Sequence, residues 1–152
     1  MKPLLVGECN PYYREGDDPD RYALYPLPEG ASGARLARLL GMRKTDYLRS
    51  FDRANLCAGV WDKGAARERA FRLLSESSLV TDRREFVLCG RKVTEAFGFD
   101  FVPGELLTDF LLVDGVSRMR RFACLPHPSG RSRLWNDPTM RTRVRELVLG
   151  LL

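Results

Sequence analysis

Apolar residues along this chain gather into short unbroken runs separated by helical stripes, and strict alternation is rare. Runs of that kind suit strands covered on both faces, where no side of the sheet meets water. PLLVG, Pro3 to Gly7, predicts the first strand, and SFDRANL the second, ending near Asn55. FVLCG, Phe86 to Gly90, predicts a third. FLLVDGVSRMRRFACL predicts a hairpin turning at Asp114–Gly115, its second arm entering the sheet.

Helices are predicted between the strands. In SGARLARLLG, Ser32 is placed to cap, Leu36, Leu39 and Leu40 form a stripe, and Gly41 ends the segment. GAARERAFRLLS, Gly64 to Ser75, predicts a helix with Ala70, Phe71 and Leu74 inward, and RKVTEAFG one closed by Gly98. Asp137 caps and Pro138 opens a last helix with Met140, Val144, Leu147, Val148 and Leu151 on one side. Strands alternating with helices predict a three-layer α/β/α sandwich around a short, mainly parallel sheet. No repeat or linker divides the 152 residues, so a single domain is expected.

Composition narrows the function classes. With 44% hydrophobic and 30% charged residues the chain has the makings of an ordinary packed core. No apolar run approaches the roughly 18 residues of a membrane span, and no export signal opens the chain, so a cytoplasmic protein away from membranes is expected. Cys9, Cys57, Cys89 and Cys124 are widely spaced and form no CxxC pair, which suits reduced thiols; no metal, cluster or other cofactor is expected. Charge is uneven. Eight arginines lie between Arg118 and Arg145, whereas the first thirty residues hold six acids, Glu8, Glu15, Asp17, Asp18, Asp20 and Glu29. A basic final third suits a polyanion such as nucleic acid; the alternative is a solvated arginine-rich face.

In sheets of this kind ligands bind beyond the carboxyl ends of the strands. The segments there are GECNPYY, NLC, CGRK and PHPSGRS, the last holding the chain's one histidine, His127. There is no GxSxG elbow, no GxxxxGK[ST] loop and no GxGxxG after the first strand, so neither an α/β-hydrolase nor a common nucleotide-binding loop is signalled. Together the four segments resemble the uracil-DNA glycosylase superfamily. Its members carry G-(Q/I/E)-(D/N/A)-P-(Y/G) after the first strand, often an asparagine ending the second, and H-P-S after the last core strand. The counterparts are Gly7-Glu8-Cys9-Asn10-Pro11-Tyr12, Asn55, and His127-Pro128-Ser129, in order over most of the chain.

The resemblance implies a monomeric DNA glycosylase that flips a uracil-like base and hydrolyses its N-glycosidic bond with water. A member that binds DNA or a nucleotide with weak or lost chemistry is the alternative. His127 would donate to the departing base, whose negative charge grows in the transition state. This chain has one residue more than the motif between Gly7 and Pro11, so either Asn10 or Glu8 is the water-positioning residue. Tyr22, with Tyr25 as fallback, would stack on the flipped base, and Asn55 would read its edge, with Cys9 and Tyr12 nearby. Ser32, Gly33, Ser129 and Gly130 would meet phosphates, and Arg131, Arg133 or Leu134 would wedge into the duplex. The acid- and proline-rich stretch from Tyr12 to Gly30 departs from what that family leads one to expect facing DNA.

Overall fold

A computed structural model of the chain describes every residue except 29–30, 80–81 and 114. Five strands form one sheet: β1 (Leu4–Cys9), β2 (Asp52–Cys57), β3 (Glu85–Cys89), β4 (Glu105–Val113) and β5 (Val116–Leu125). Their spatial order is β2-β1-β3-β5-β4, all parallel except β4, which pairs antiparallel with β5. The helices are α1 (Ser32–Leu39), α2 (Lys44–Ser50), α3 (Lys63–Leu79), α4 (Arg91–Ala96) and α5 (Pro138–Leu149), with a 3-10 turn at Arg133–Asn136.

The continuous apolar runs are buried on both faces, as both-sided coverage requires. Leu5, Val87, Ala123 and Leu125 pack beneath α1, α2 and α5, while Leu4, Val6, Phe86, Leu88 and Phe122 pack beneath α3 and α4. The chain is therefore a mainly parallel α/β sheet with helices on both sides. Travel from β1 to β2 and then back past β1 to β3 runs in opposite directions, and right-handed crossovers put the two sets of helices on opposite faces. The exits of β1 and β3 thus diverge, opening a crevice at the carboxyl end of the sheet between them.

Several local expectations change. Phe71 is 70% exposed: the face of α3 turned to the sheet is Ala66, Ala70 and Leu73, with Leu74 packed at its margin, so Ala70 and Leu74 face inward as expected and Phe71 does not. Ala31, not Ser32, is the residue before α1, and it makes no side-chain cap bond. Asn55 lies inside β2, level with Gly7, rather than at the strand's end. The predicted hairpin forms, its first arm starting earlier at Glu105 and its second lying between β3 and β4; Asp114 lies outside the described residues. α2 had no signal: it is short and polar, with Tyr47 as its buried residue. At α5 the expected cap holds, Thr139 N–H donating to Asp137 Oδ1 at 2.9 Å.

The arginines of the final third do not form one face. Arg121 pairs with Glu85 at 3.0 Å, Arg118 with Asp82, and Arg141 donates to the Trp135 carbonyl at 3.1 Å. Arg120 is buried, and loss of solvation pulls its guanidinium below the usual range. Among the described residues no helix is long and apolar enough to cross a membrane.

Candidate functional site

The crevice is a cleft of about 860 Å³, within the range of small-ligand sites. Its floor is the end of β1, Gly7 to Asn10, and its walls carry Tyr22, Tyr25, Asn55 and His127. Gly7 has a local reason to be glycine: a Cβ there would lie 2.8 Å from Asn55 Oδ1 and 3.3 Å from Leu24 Cγ.

One wall is the long loop after β1. Asn10 is buried and helps hold that loop in place: Oδ1 accepts from Tyr12 N–H at 2.9 Å, the carbonyl from Tyr13 N–H at 3.1 Å, and its own N–H donates to Ala58 O, just beyond β2, at 3.1 Å. Asp20 ties the loop to the edge strand, accepting from Asn55 N–H at 2.9 Å and pairing with Arg69 at 2.7 Å. Asn55 Nδ2 in turn donates to Pro19 O at 3.0 Å. Further along, Leu24 is held at φ +45°, a region unusual for a branched side chain. Two things hold it there: the Tyr47 hydroxyl donates to the Leu24 carbonyl at 2.9 Å, and α1 closes in through Gly33. A Cβ on Gly33 would stand 2.1 Å from the Leu24 carbonyl oxygen, so only glycine lets the helix and this loop meet. Burial pushes the Tyr47 phenol up, which keeps it a donor.

The wall so fixed presents aromatic faces. Tyr22 and Tyr25 pack edge to face with centroids 6.3 Å apart, Arg21 lying 5.1 Å over Tyr22 and Arg53 5.6 Å over Tyr25. Tyr12 stands 82% exposed at the cleft's edge.

The opposite wall is the short loop after β5. Ser129 N–H donates to His127 Nδ1 at 3.1 Å, and Trp135 Nε1–H to the His127 carbonyl at 2.8 Å. A backbone N–H needs a lone pair to donate to, so Nδ1 is unprotonated and the ring proton of neutral His127 sits on Nε2. Burial holds the imidazole below its usual range, with Glu8 opposing that pull, so the neutral ring is the state at pH 7. Nε2 lies 3.9 Å from Glu8 Oε1, too far for a direct hydrogen bond, and both residues line the cleft. Gly90, at φ +106°, ends β3 and lets the histidine loop lie close, since a Cβ there would be 3.2 Å from His127 Cβ and Cδ2. Glu8 is also 3.9 Å from Lys92 Nζ on α4, a neighbour absent from the sequence-derived candidates although CGRK contains it.

Of the sequence-derived candidates, Glu8, Cys9, Asn10, Tyr12, Tyr22, Asn55, Ser32, Gly33 and His127 line the cleft. Ser129, Gly130, Arg131 and Arg133 lie outside its lining. Ser129 spends its N–H on His127, and Arg131 and Arg133 are exposed beyond it. A further arginine joins them from α1: Arg35 reaches to 3.1 Å of where a Gly130 Cβ would be. All four cysteines are free thiols; burial pushes Cys89 up to about 12 and Cys124 up to about 11. Among the described residues no His, Cys, Asp and Glu cluster could hold a metal ion.

The chemistry open to this arrangement is a carboxylate and a neutral imidazole N–H facing one another over a cleft walled by tyrosines. The first can take a proton from water, and the second can donate to an oxygen or nitrogen that gathers charge. No protein-family model, curated protein or solved structure matched the chain.

Proposed function

We propose that the protein is a monofunctional DNA glycosylase acting on a deaminated or modified, uracil-like base. The observation that carries the reading is the pairing of Glu8 with the Nε2–H of His127 at 3.9 Å inside the tyrosine-walled cleft. A base extruded from the duplex stacks on Tyr22 and Tyr25, which offset its lost stacking. Asn55, whose Nδ2 donates to Pro19 O, offers its Oδ1 as an acceptor to the base edge. Glu8 takes a proton from the attacking water, whose oxygen bonds to the sugar carbon as the glycosidic bond breaks. The bonding pair leaves with the base, and Nε2–H of His127 stabilises that charge more in the transition state than in the ground state. The base departs carrying the proton, leaving an abasic sugar. Glu8 is preferred to Asn10 as the water-activating group because Asn10's side-chain oxygen is engaged by Tyr12 N–H, while the Glu8 carboxylate faces the histidine. The reading includes a monomer working in the cytoplasm, where its free thiols stay reduced.

The test is incubation with duplexes carrying uracil, hypoxanthine, xanthine or hydroxymethyluracil, followed by alkali cleavage. Abasic sites are expected with at least one of them, and His127→Ala should slow their formation by about 10²–10³-fold. Abasic sites with none, alongside persistent and steeply salt-dependent duplex binding, would replace the enzyme with a DNA-binding relative of weak or lost chemistry.

A further inference from the structure

A second, smaller cleft of about 390 Å³ is lined in part by Lys92. Trp61, from the loop after β2, and Phe99, after α4, form its apolar part, and Lys63, Arg67 and Lys92 its cationic part. The two clefts share the Glu8–Lys92 contact as a partition, Glu8 lining one and Lys92 the other. Lys92 Nζ also lies 5.6 Å over the Trp61 ring, which stands partly exposed.

Charge here is incompletely balanced. Lys63 and Arg67 sit four residues apart on α3, a spacing at which like charges repel on one helix face. Among the described residues neither meets a carboxylate within 4 Å. Of the two acids in the lining, Glu95 is drawn to Arg91 at 3.7 Å, leaving Asp100. The first turn of α3 is already capped, Ala65 N–H donating to Asp62 Oδ1 at 2.7 Å, so the cations and not the helix end make the groove positive. An indole beside unpaired cations in a concave groove suits a polyanion with flat, unstacked rings, and a duplex, whose bases are stacked inside, cannot present one there.

Resting on the glycosylase reading, we infer that this groove seats single-stranded DNA continuous with the flipped nucleotide, one unpaired base on Trp61 and its phosphates on Lys63 and Arg67. The groove then makes the enzyme favour single-stranded or melted substrate. The probe is a fluorescein-labelled twelve-nucleotide oligothymidine, followed by anisotropy across a salt series and by tryptophan emission. Wild-type protein should bind with quenched emission. The quench should vanish in Trp61→Phe, since Trp135 is only 7% exposed. In the Lys63→Gln/Arg67→Gln double variant the salt slope should become shallower by about 1.4, the loss of two single-strand phosphate contacts. Binding with the quench and slope unchanged in these variants would overturn the groove while leaving the glycosylase reading intact. Wild-type protein that ignores the oligonucleotide yet forms abasic sites in duplex would do the same. Failure of both binding and abasic-site formation would remove the two readings together.

Discussion

The wall built from residues 10–28 and the wall built from residues 126–136 meet over the same cleft but use their polar groups differently. On the first, Asn10, Asp20 and Asn55 hold the loop to itself and to β2. A long connection must satisfy its own backbone before it can present anything to a ligand, and these residues do that work. The second wall is short and stiffened by Pro126 and Pro128, with Trp135 bracing the histidine carbonyl. It needs only Nδ1 of His127 for internal bonding, so Nε2 is left for the cleft. A polar side chain at a strand end is thus free for chemistry only where its loop has other means of holding its shape.

The contrast is sharpest in Glu8 against Asn10. Glu8→Gln should lower the rate of base release by about 10²–10⁴-fold, whereas Asn10→Ser, which loses one neutral hydrogen bond, should cost less than about tenfold. Single-turnover rates on the best substrate compare them, and equal losses would return the water to Asn10. Next in size is the tie between the first wall and β2. Asp20→Ala strands the Asn55 N–H and the Arg69 guanidinium, and should lower unfolding free energy in urea by about 1–3 kcal/mol. An unmoved midpoint would mean that this wall is not pinned there.

The smallest effect is in pH. His127 is the chain's one histidine, so its ring protons can be followed by NMR without assignment ambiguity. Its folded pKa should lie below 6.5, because burial disfavours the cation. Below pH 6.5 the unfolded chain then binds more protons than the folded one, so stability falls as pH drops toward the folded pKa and levels off beneath it. Glu8→Gln should push the titration lower still, since the carboxylate supports the imidazolium. Titration at or above 6.5 would mean that the ring is not desolvated and that the second wall is looser than described.

Some of this architecture is legible in the residues because it depends on local chemistry. The apolar runs PLLVG, FVLCG and FACL announce strands buried on both faces, and Asp137-Pro138 announces a helix start, each decided within a few residues. Phe71 lies outside the buried stripe because Ala66 and Leu73 flank Ala70 on the face that meets the sheet, and only the sheet beneath selects that face over the one carrying Phe71. α2 left no periodic trace because a single tyrosine anchors it, through a hydrogen bond to Leu24, twenty-three residues away in sequence.

By itself the sequence determined the α/β class, the strand ends that would carry polar residues, and the candidacy of Glu8, Asn10, Asn55 and His127. It could not separate Glu8 from Asn10, since Glu8 stands near the end of β1 and Asn10 just after the strand, both at its carboxyl end. The engagement of the Asn10 side-chain oxygen by Tyr12 N–H, the removal of Ser129, Arg131 and Arg133 from the cleft lining, and the place of Lys92 beside Glu8 came from the tertiary structure. The last two depend on contacts between segments brought together by the parallel sheet, where a side chain's free valence is set by neighbours distant along the chain.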